Sequence, residues 1–186
     1  MLKILNKTNM KKYILVVPVL LIALFACKQE KAKKISIDKL VNSAEQFEGK
    51  RVETQGMAVH FCGAGKKKLK LKSENGSVVK VIPSNLLLHF SAKLNHKKLK
   101  IVGRVETKRV ERSFVDKIDR EKTLLCHIDH TPCIDEEWVK RKQETGVSDS
   151  LSAVDVKKLR NKMQKSGKDY ITVVTIIADE IEVIKG

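Results

Sequence analysis

The sequence predicts a mostly β domain with helices: a closed, five-stranded Greek-key barrel with an N-terminal helix and a helical insertion before the last strand. Three observations carry this. Five segments alternate apolar and polar residues at the period of a strand, which sends successive side chains to opposite faces. Their order is strand, strand, strand, helix, strand, long excursion, strand. The first, RVETQGMAVHFC from Arg51 to Cys62, changes phase near its middle, as a strand shared by two parts of one closed sheet must.

The chain has 186 residues, enough for about one domain at the usual ~100–200 residues each. Apolar and charged fractions of 42% and 32% are those of a globular protein and exclude disorder throughout. Residues 1–26 read as an export signal. Lys11 and Lys12 precede the apolar run Tyr13–Ala26, too short for the ~20 residues of a spanning helix. The run ends Leu24-Phe25-Ala26-Cys27, which resembles the lipobox of bacterial lipoproteins, with Phe25 where a smaller residue is usual. That resemblance implies cleavage before Cys27 and acylation of Cys27, palmitate included. The alternative is an uncleaved N-terminal anchor; both place the domain outside the cytoplasm. Loss of the signal's four lysines takes the net charge from +16 to +12. Three cysteines then remain, Cys62, Cys126 and Cys133. An odd number in an oxidising compartment leaves three options: a disulfide plus a thiol, a metal site, or an intermolecular bridge.

Residues 27–34 are a polar, lipidated tether, and the domain runs from 35 to 186. Ile37, Leu40, Val41, Ala44 and Phe47 recur at helical spacing, with Ser36 or Asp38 as N-cap and Gly49 as the stop. In the first strand Val52 and Thr54 hold one phase and Met57, Val59 and Phe61 the other, so Gly56 is the expected bend. With Met57, Val59 and Phe61 inward, His60 and Cys62 face out. Leu69 and Leu71 alternate with lysines in strand two. Asn75-Gly76 makes the hairpin, because both residues tolerate positive φ, and Val79 and Val81 return in strand three. Pro83-Ser84 opens a helix through Leu86, Leu87, Leu88, Phe90 and Leu94. Leu99, Ile101, Gly103 and Val105 form strand four. Strand five, Tyr170–Ile184, holds Ile171, Val173, Ile177, Ile181 and Val183 in one phase.

The insertion, residues 106–167, is too long for a plain loop. Ser113–Asp116 reads as a capping box for a helix through Phe114, Ile118, Leu125 and Ile128. Thr131-Pro132 ends it and starts another through Trp138, and Ser152–Asp155 caps a third through Met163, stopped by Gly167. The tip near Gly146–Ser152 is expected to be mobile.

This element order is that of the OB-fold. In VETQGMAVHFCGAGKKKLKL and YITVVTIIADEIEVI the chain also resembles the tRNA-anticodon-binding-like OB-fold lipoproteins of Bacteroidetes-type bacteria, over Ile35–Val105 and Lys168–Gly186. The resemblance implies the fold and says little about activity, since this fold hosts many functions.

Two groups carry chemistry. His60 and Cys62 share a strand face at the barrel's loop end. In CHIDHTPC, Cys126 and His130 stack on one helical face, and Cys133 would start the next helix, where the dipole lowers a thiol pKa. In an OB-fold the first loop and the connection before the last strand lie at one end, so the two groups could meet. Imidazole plus thiolate suits Zn or Cu; a Cys126–Cys133 or Cys62–Cys133 disulfide would explain the same thiols. The spacing matches no standard zinc pattern, and Cys126-His127 lacks the first cysteine of a haem motif. Nucleic acid is disfavoured. The chain has eight Phe, Tyr and Trp in all, none on strands two and three, where bases would stack. The lysines of Lys66–Lys72 read instead as a solvated outer face or one lying near anionic lipid head groups, and Asp179, Glu180 and Glu182 as an exposed acidic edge. No nucleophile elbow, phosphate-cradling loop or H-E-x-x-H occurs, so no catalytic residue is assigned.

The reading is a non-enzymatic lipoprotein of the cell envelope, periplasm-facing or on the surface. Its OB domain binds an envelope protein or a small ligand at residues the sequence does not identify. The alternative is a metal- or thiol-handling protein using His60, Cys62, Cys126, His130 and Cys133.

Overall fold

The computed structural model describes residues 31–62, 67–85, 87 and 89–184. The chain divides into two compact units, Met1–Lys31 and Ala32–Gly186, and the second holds every strand and helix described below. The expected export signal and lipobox, residues 63–66 after the first barrel strand, and Leu86 and Leu88 lie outside the described residues.

Six strands form one sheet: β1 (Lys33–Lys34), β2 (Arg51–Cys62), β3 (Lys68–Lys72), β4 (Val78–Pro83), β5 (Lys98–Glu111) and β6 (Tyr170–Val183). Their order is β1-β2-β3-β4-β6-β5, and β2 pairs with β5 to close the ring. Strand β4 runs parallel to β6, while β2–β3, β3–β4, β2–β5 and β5–β6 are antiparallel. That closed five-stranded ring is an OB-fold. The sixth strand, β1, takes two residues from the expected tether and pairs them in parallel with Val52 and Glu53.

Strand β2 pairs with β5 over Arg51–Met57 and with β3 over Met57–Cys62. Its change of phase is not at Gly56. Val52, Thr54, Gly56 and Ala58 are all buried in one phase, and Met57 is 40% exposed. The register slips between Ala58 and His60, so Val59 is the extra residue of a bulge. Beyond it Phe61 packs on the core. Gly56 serves close approach instead. A Cβ there would lie 2.6 Å from Ile37 Cδ1 and 2.8 Å from the Lys72 carbonyl oxygen.

Helix α1 (Ile37–Asn42) continues into a 3-10 turn, Ala44–Phe47. Ser36, rather than Asp38, is the N-cap, accepting from the Lys39 amide at 3.2 Å. A six-residue helix is not stable alone. Burial of Ile37, Leu40 and Phe47 in the barrel core, about 1.5–3 kcal/mol for each large side chain, holds it in place.

None of the described residues from Pro83 to Leu94 is α-helical, where the sequence predicts a helix. Pro83 ends β4, Ser84 and Leu87 form a turn, and a 3-10 turn covers Ala92–Leu94. Phe90 still reaches the core at 2% exposure. Its packing there is made without helical periodicity.

Strand β5 continues past the expected boundary to Glu111 and pairs with β6 along its length. Beyond the barrel this ribbon carries helices α2 (Arg112–Glu121), α3 (Glu136–Glu144) and α4 (Ser148–Ser166). Val115 and Ile118 of α2 and Val156, Leu159 and Met163 of α4 form a second core with Val110 and Val173. Arg160 ties the two helices, donating to Asp116 at 2.7 Å and Asp119 at 3.0 Å. Neither expected capping box starts a helix. Glu111 precedes α2 without a side-chain cap, and Ser152 is fully buried inside α4. The tip at Ser148–Ser152 is helical. Helix α2 stops at Lys122, whose φ is +50°, so Leu125 and Ile128 leave the helical path.

Strand β6 is buried on both faces. Val174, Ile176 and Ala178 face the barrel core, and Ile171 and Val173 the second core. The phase read from sequence at Ile171 and Val173 is thus the outward one. A slip between Val102 and Gly103, with Asp179 the extra residue, turns Ile181 back to the barrel. The acidic edge is partly tied down: Arg51 lies 3.6 Å from Asp179 and 2.8 Å from Glu180, and Lys100 pairs with Glu182.

At that slip a Cβ on Gly103 would lie 2.1 Å from the Ile177 carbonyl oxygen. Backbone cannot give way as a side-chain tip can, so Gly103→Ala must part β5 from β6. Urea denaturation is expected to show a loss of about 2–4 kcal/mol; a loss under 1 kcal/mol would show that the ribbon tolerates separation there.

Candidate functional site

Leu69 and Leu71 of β3 and Val79 and Val81 of β4 are fully buried in the barrel. Strand alternation therefore sends Lys68, Lys70 and Lys80 outward. Lys70 and Lys80 are direct cross-strand partners. Like charges directly opposite destabilise a sheet, so this face calls for an anion. It is not the solvated face expected from sequence.

The anion is Asp129. Past Lys122 the chain forms a tight loop closed by the Leu125–Pro132 bridge. The Cys126 amide donates to the Thr131 carbonyl at 2.7 Å, the His130 amide to the Cys126 carbonyl at 2.8 Å, and the Cys133 amide to the Leu124 carbonyl at 2.9 Å. His130 takes φ +57°, a left-handed position that Asn, Asp and His enter more readily than most residues. Asp129 accepts from the Thr131 hydroxyl at 2.7 Å. It then pairs with Lys68 at 2.9 Å and Lys80 at 3.3 Å while only 4% exposed. Burial raises its pKa, but hydrogen bonds from Lys68 and Thr131 and the charge of Lys80 outweigh burial and hold it well below the usual carboxylate range. The loop adds two further bonds, from Lys68 Nζ to the Thr131 hydroxyl at 3.5 Å and from Lys70 Nζ to the His127 carbonyl at 3.4 Å.

This clamp brings the chemical groups together. Cys126 and Cys62 lie with their sulfurs 3.6 Å apart. His127 and His60 lie with Nε2 atoms 2.7 Å apart and ring centroids at 4.3 Å. One imidazole of such a pair must donate and the other accept, so both cannot be protonated at Nε2 and keep the contact. Burial lowers the pKa of His60, as does the charge of His127, and burial and Lys70 lower that of His127. Both are therefore biased to the neutral form.

The remaining residues depart from expectation. Cys126 and His130 lie in a loop, not on a helical face, and the imidazole that meets His60 is that of His127. Burial, aided by the charge of Lys162, pushes the His130 pKa down to about 4. Cys133 precedes helix α3, whose N-cap is Asp135, and burial raises its thiol pKa where a helix terminus would have lowered it. The sulfur pair in contact is Cys62–Cys126, at 3.6 Å, a pairing that sequence reading does not single out. Among the described residues no three His, Cys, Asp or Glu side chains converge as a group able to hold a metal ion. Sequence reasoning assigns no role to Asp129 or His127. Asp129-His130-Thr131 carries the Asx-turn signal that could have found the first; His127 carries no local signal.

Between this loop, the outward face of β3, β4 and β6, and helix α4 lies a cavity of about 500 Å³. Lys70, Lys80, His127, His130, Asp155, Lys158 and Lys162 line it with Ile128, Ile171 and Val173.

Removal of the Asp129 charge would leave Lys68 and Lys80 without the carboxylate they share. Asp129→Asn is expected to lower stability by about 2–4 kcal/mol. The folded pKa is depressed from 3.8, so the wild-type contribution is complete above about pH 4 and fades as pH falls toward the folded value. Urea midpoints compared at pH 7 and pH 3 should show the gap between variant and wild type narrowing. A gap equal at both pH values would remove Asp129 from this role.

No protein-family model matches the chain, and no curated protein matches it. Among solved structures it is similar to the telomere capping protein Ten1 from Saccharomyces pombe, at 24% identity and TM-score 0.32, over 40% of this chain and 67% of that one. It is also similar to the S. pombe Stn1-ten1 complex, at 22% identity and TM-score 0.31, over 41% of this chain and 65% of that one. The assignment as an OB-fold rests on the strand order and the β2–β5 closure.

Proposed function

We propose that the chain is a non-enzymatic binding module of the bacterial cell envelope. It is held to a membrane by lipid on Cys27, in the manner of Bacteroidetes-type lipoproteins. Its cargo is a small molecule or a segment of an envelope partner, taken up at the seam between barrel and insertion. The observation that carries the reading is the cavity of about 500 Å³ at that seam, within the ~300–1,000 Å³ usual for ligand sites. Lipidation rests on the Leu24–Cys27 sequence, and the choice of binding over catalysis on the lack of any recognisable catalytic motif.

Two measurements test it. Cells fed an alkyne fatty acid should label the wild-type chain and not Cys27→Ser; equal labelling would remove the anchor. Native mass spectrometry of protein released from membranes should show an added mass that Thr172→Trp abolishes without changing the thermal midpoint, because Thr172 lines the cavity. Bare protein from the wild type, or an adduct unaffected by Thr172→Trp, would sink the seam as a binding site.

A second reading is favoured by the approach of Cys62 and Cys126 at 3.6 Å. In an oxidising compartment the two thiols would exchange with a disulfide donor, forming one S–S bond as the donor takes two electrons and two protons. Zn or Cu is the competing reading of the same thiols, although among the described residues no three ligands converge to hold it. With Cys27 acylated, denatured protein should then titrate one thiol, Cys133, before reduction and three after it. Three thiols at the outset without bound metal would refute the redox pairing. One equivalent of metal, lost on substitution of His60 and Cys62, would establish the metal instead.

A further inference from the structure

The seam carries more charge than its own ion pairs neutralise. Of the lysines lining the cavity, Lys80 pairs with Asp129 at 3.3 Å and Lys158 with Asp155 at 3.6 Å. The other two have no carboxylate partner among the described residues. Lys70 donates to a neutral acceptor, the His127 carbonyl, at 3.4 Å, and Lys162 lines the same cavity from helix α4. Lys70 and Lys162 come from different elements, one from the barrel and one from the insertion, and converge on one space. Burial and the like charges of Lys70 and Lys158 lower the Lys162 pKa, as expected where cations are gathered without their counter-ion.

The same cavity is also lined by the apolar side chains of Val41, Ile128, Ile171 and Val173. A site that gathers two unneutralised ammonium groups and several aliphatic side chains suits a ligand with a dianionic head and a compact apolar body. A hydrated inorganic ion would leave the apolar wall unused. A monoanion would leave one lysine unpaired.

Resting on the seam as the binding site, we propose that its ligand is a small organic phosphate, a phosphomonoester dianion held by Lys70 and Lys162 with its apolar portion against Ile171 and Val173. His127 and His130, biased to the neutral form, donate hydrogen bonds there without adding charge.

Calorimetric titration of the full chain in a non-ionic detergent tests this, with phenyl phosphate as the probe and phenylacetate, inorganic phosphate and benzyl alcohol beside it. Phenyl phosphate should bind one per chain. Phenylacetate and inorganic phosphate should bind at least tenfold more weakly, and benzyl alcohol should give no heat. Lys70→Gln and Lys162→Gln should each weaken phenyl phosphate on the order of 10- to 100-fold, the worth of a charge-assisted hydrogen bond. Lys93→Gln, a surface control away from the cavity, should not. Circular dichroism of each variant keeps a folding failure from being read as lost binding. Phenylacetate matching phenyl phosphate would overturn the dianion, and inorganic phosphate matching it would overturn the apolar body. No phenyl phosphate binding alongside an adduct that Thr172→Trp abolishes would refute the ligand class and leave the seam standing. Phenyl phosphate binding that Thr172→Trp does not alter would move the anion away from the seam.

Discussion

Asp129 is the constraint on which the arrangement of this protein depends. Strand β3 must present Lys68 and Lys70 outward because Leu69 and Leu71 are needed inside, and β4 must present Lys80 for the same reason. A barrel built from this sequence therefore has cations gathered on one face. A single carboxylate, offered by a loop more than forty residues downstream, pairs with two of them. Such a buried pairing adds little net stability, because removing water from three charges offsets much of the attraction. It governs placement: a loop set anywhere else would leave Asp129 buried without its cations.

Placement is what the site requires. Strand β2 delivers His60 and Cys62 to the barrel exterior because the bulge at Val59 resets the alternation just before them. Were Val59 paired as an ordinary strand residue instead of bulging, Phe61 would lose its place against the core and the two chemical side chains would turn inward. The clamp then fixes the partner loop at the matching height, so that Cys126 meets Cys62 and His127 meets His60. Two local irregularities, one in a strand and one in a loop, are thus matched across the molecule.

Much of the fold is legible in sequence because barrel strands write their burial as alternation. The five strands and the Asn75-Gly76 hairpin follow from period and turn chemistry alone. The misreadings have common physical causes. Sequence places Met57 inside because a glycine in a strand signals a bend, whereas Gly56 is small to admit Ile37 and the β3 backbone. Leu87 and Phe90 imitate a helix because the chain between β4 and β5 drops apolar residues into the core through turns. Leu125 and Ile128 continue the spacing of α2 after Lys122 has ended it. Ile171 and Val173 read as barrel-facing because a strand buried on both faces offers two apolar phases. For the site, His60 and Cys62 are legible from parity, but Asp129 is not. Its role arises from charges on two other strands, and no local pattern records them.

The thiol pair and the cavity hang from the same loop and are not independent. Cys126 at the start of that loop meets the barrel through Cys62, and His127, Ile128 and His130 a few residues on form one wall of the cavity. Between them sits Asp129, locked to Lys68 and Lys80, so the loop cannot rotate about one attachment without straining the other. A loop of eight residues closed at Leu125–Pro132 has little slack to absorb such a motion. Cys126 and the cavity wall are therefore joined by a short, hydrogen-bonded stretch of backbone. The barrel supplies the surface, and Asp129 is the attachment that both sides of the loop share.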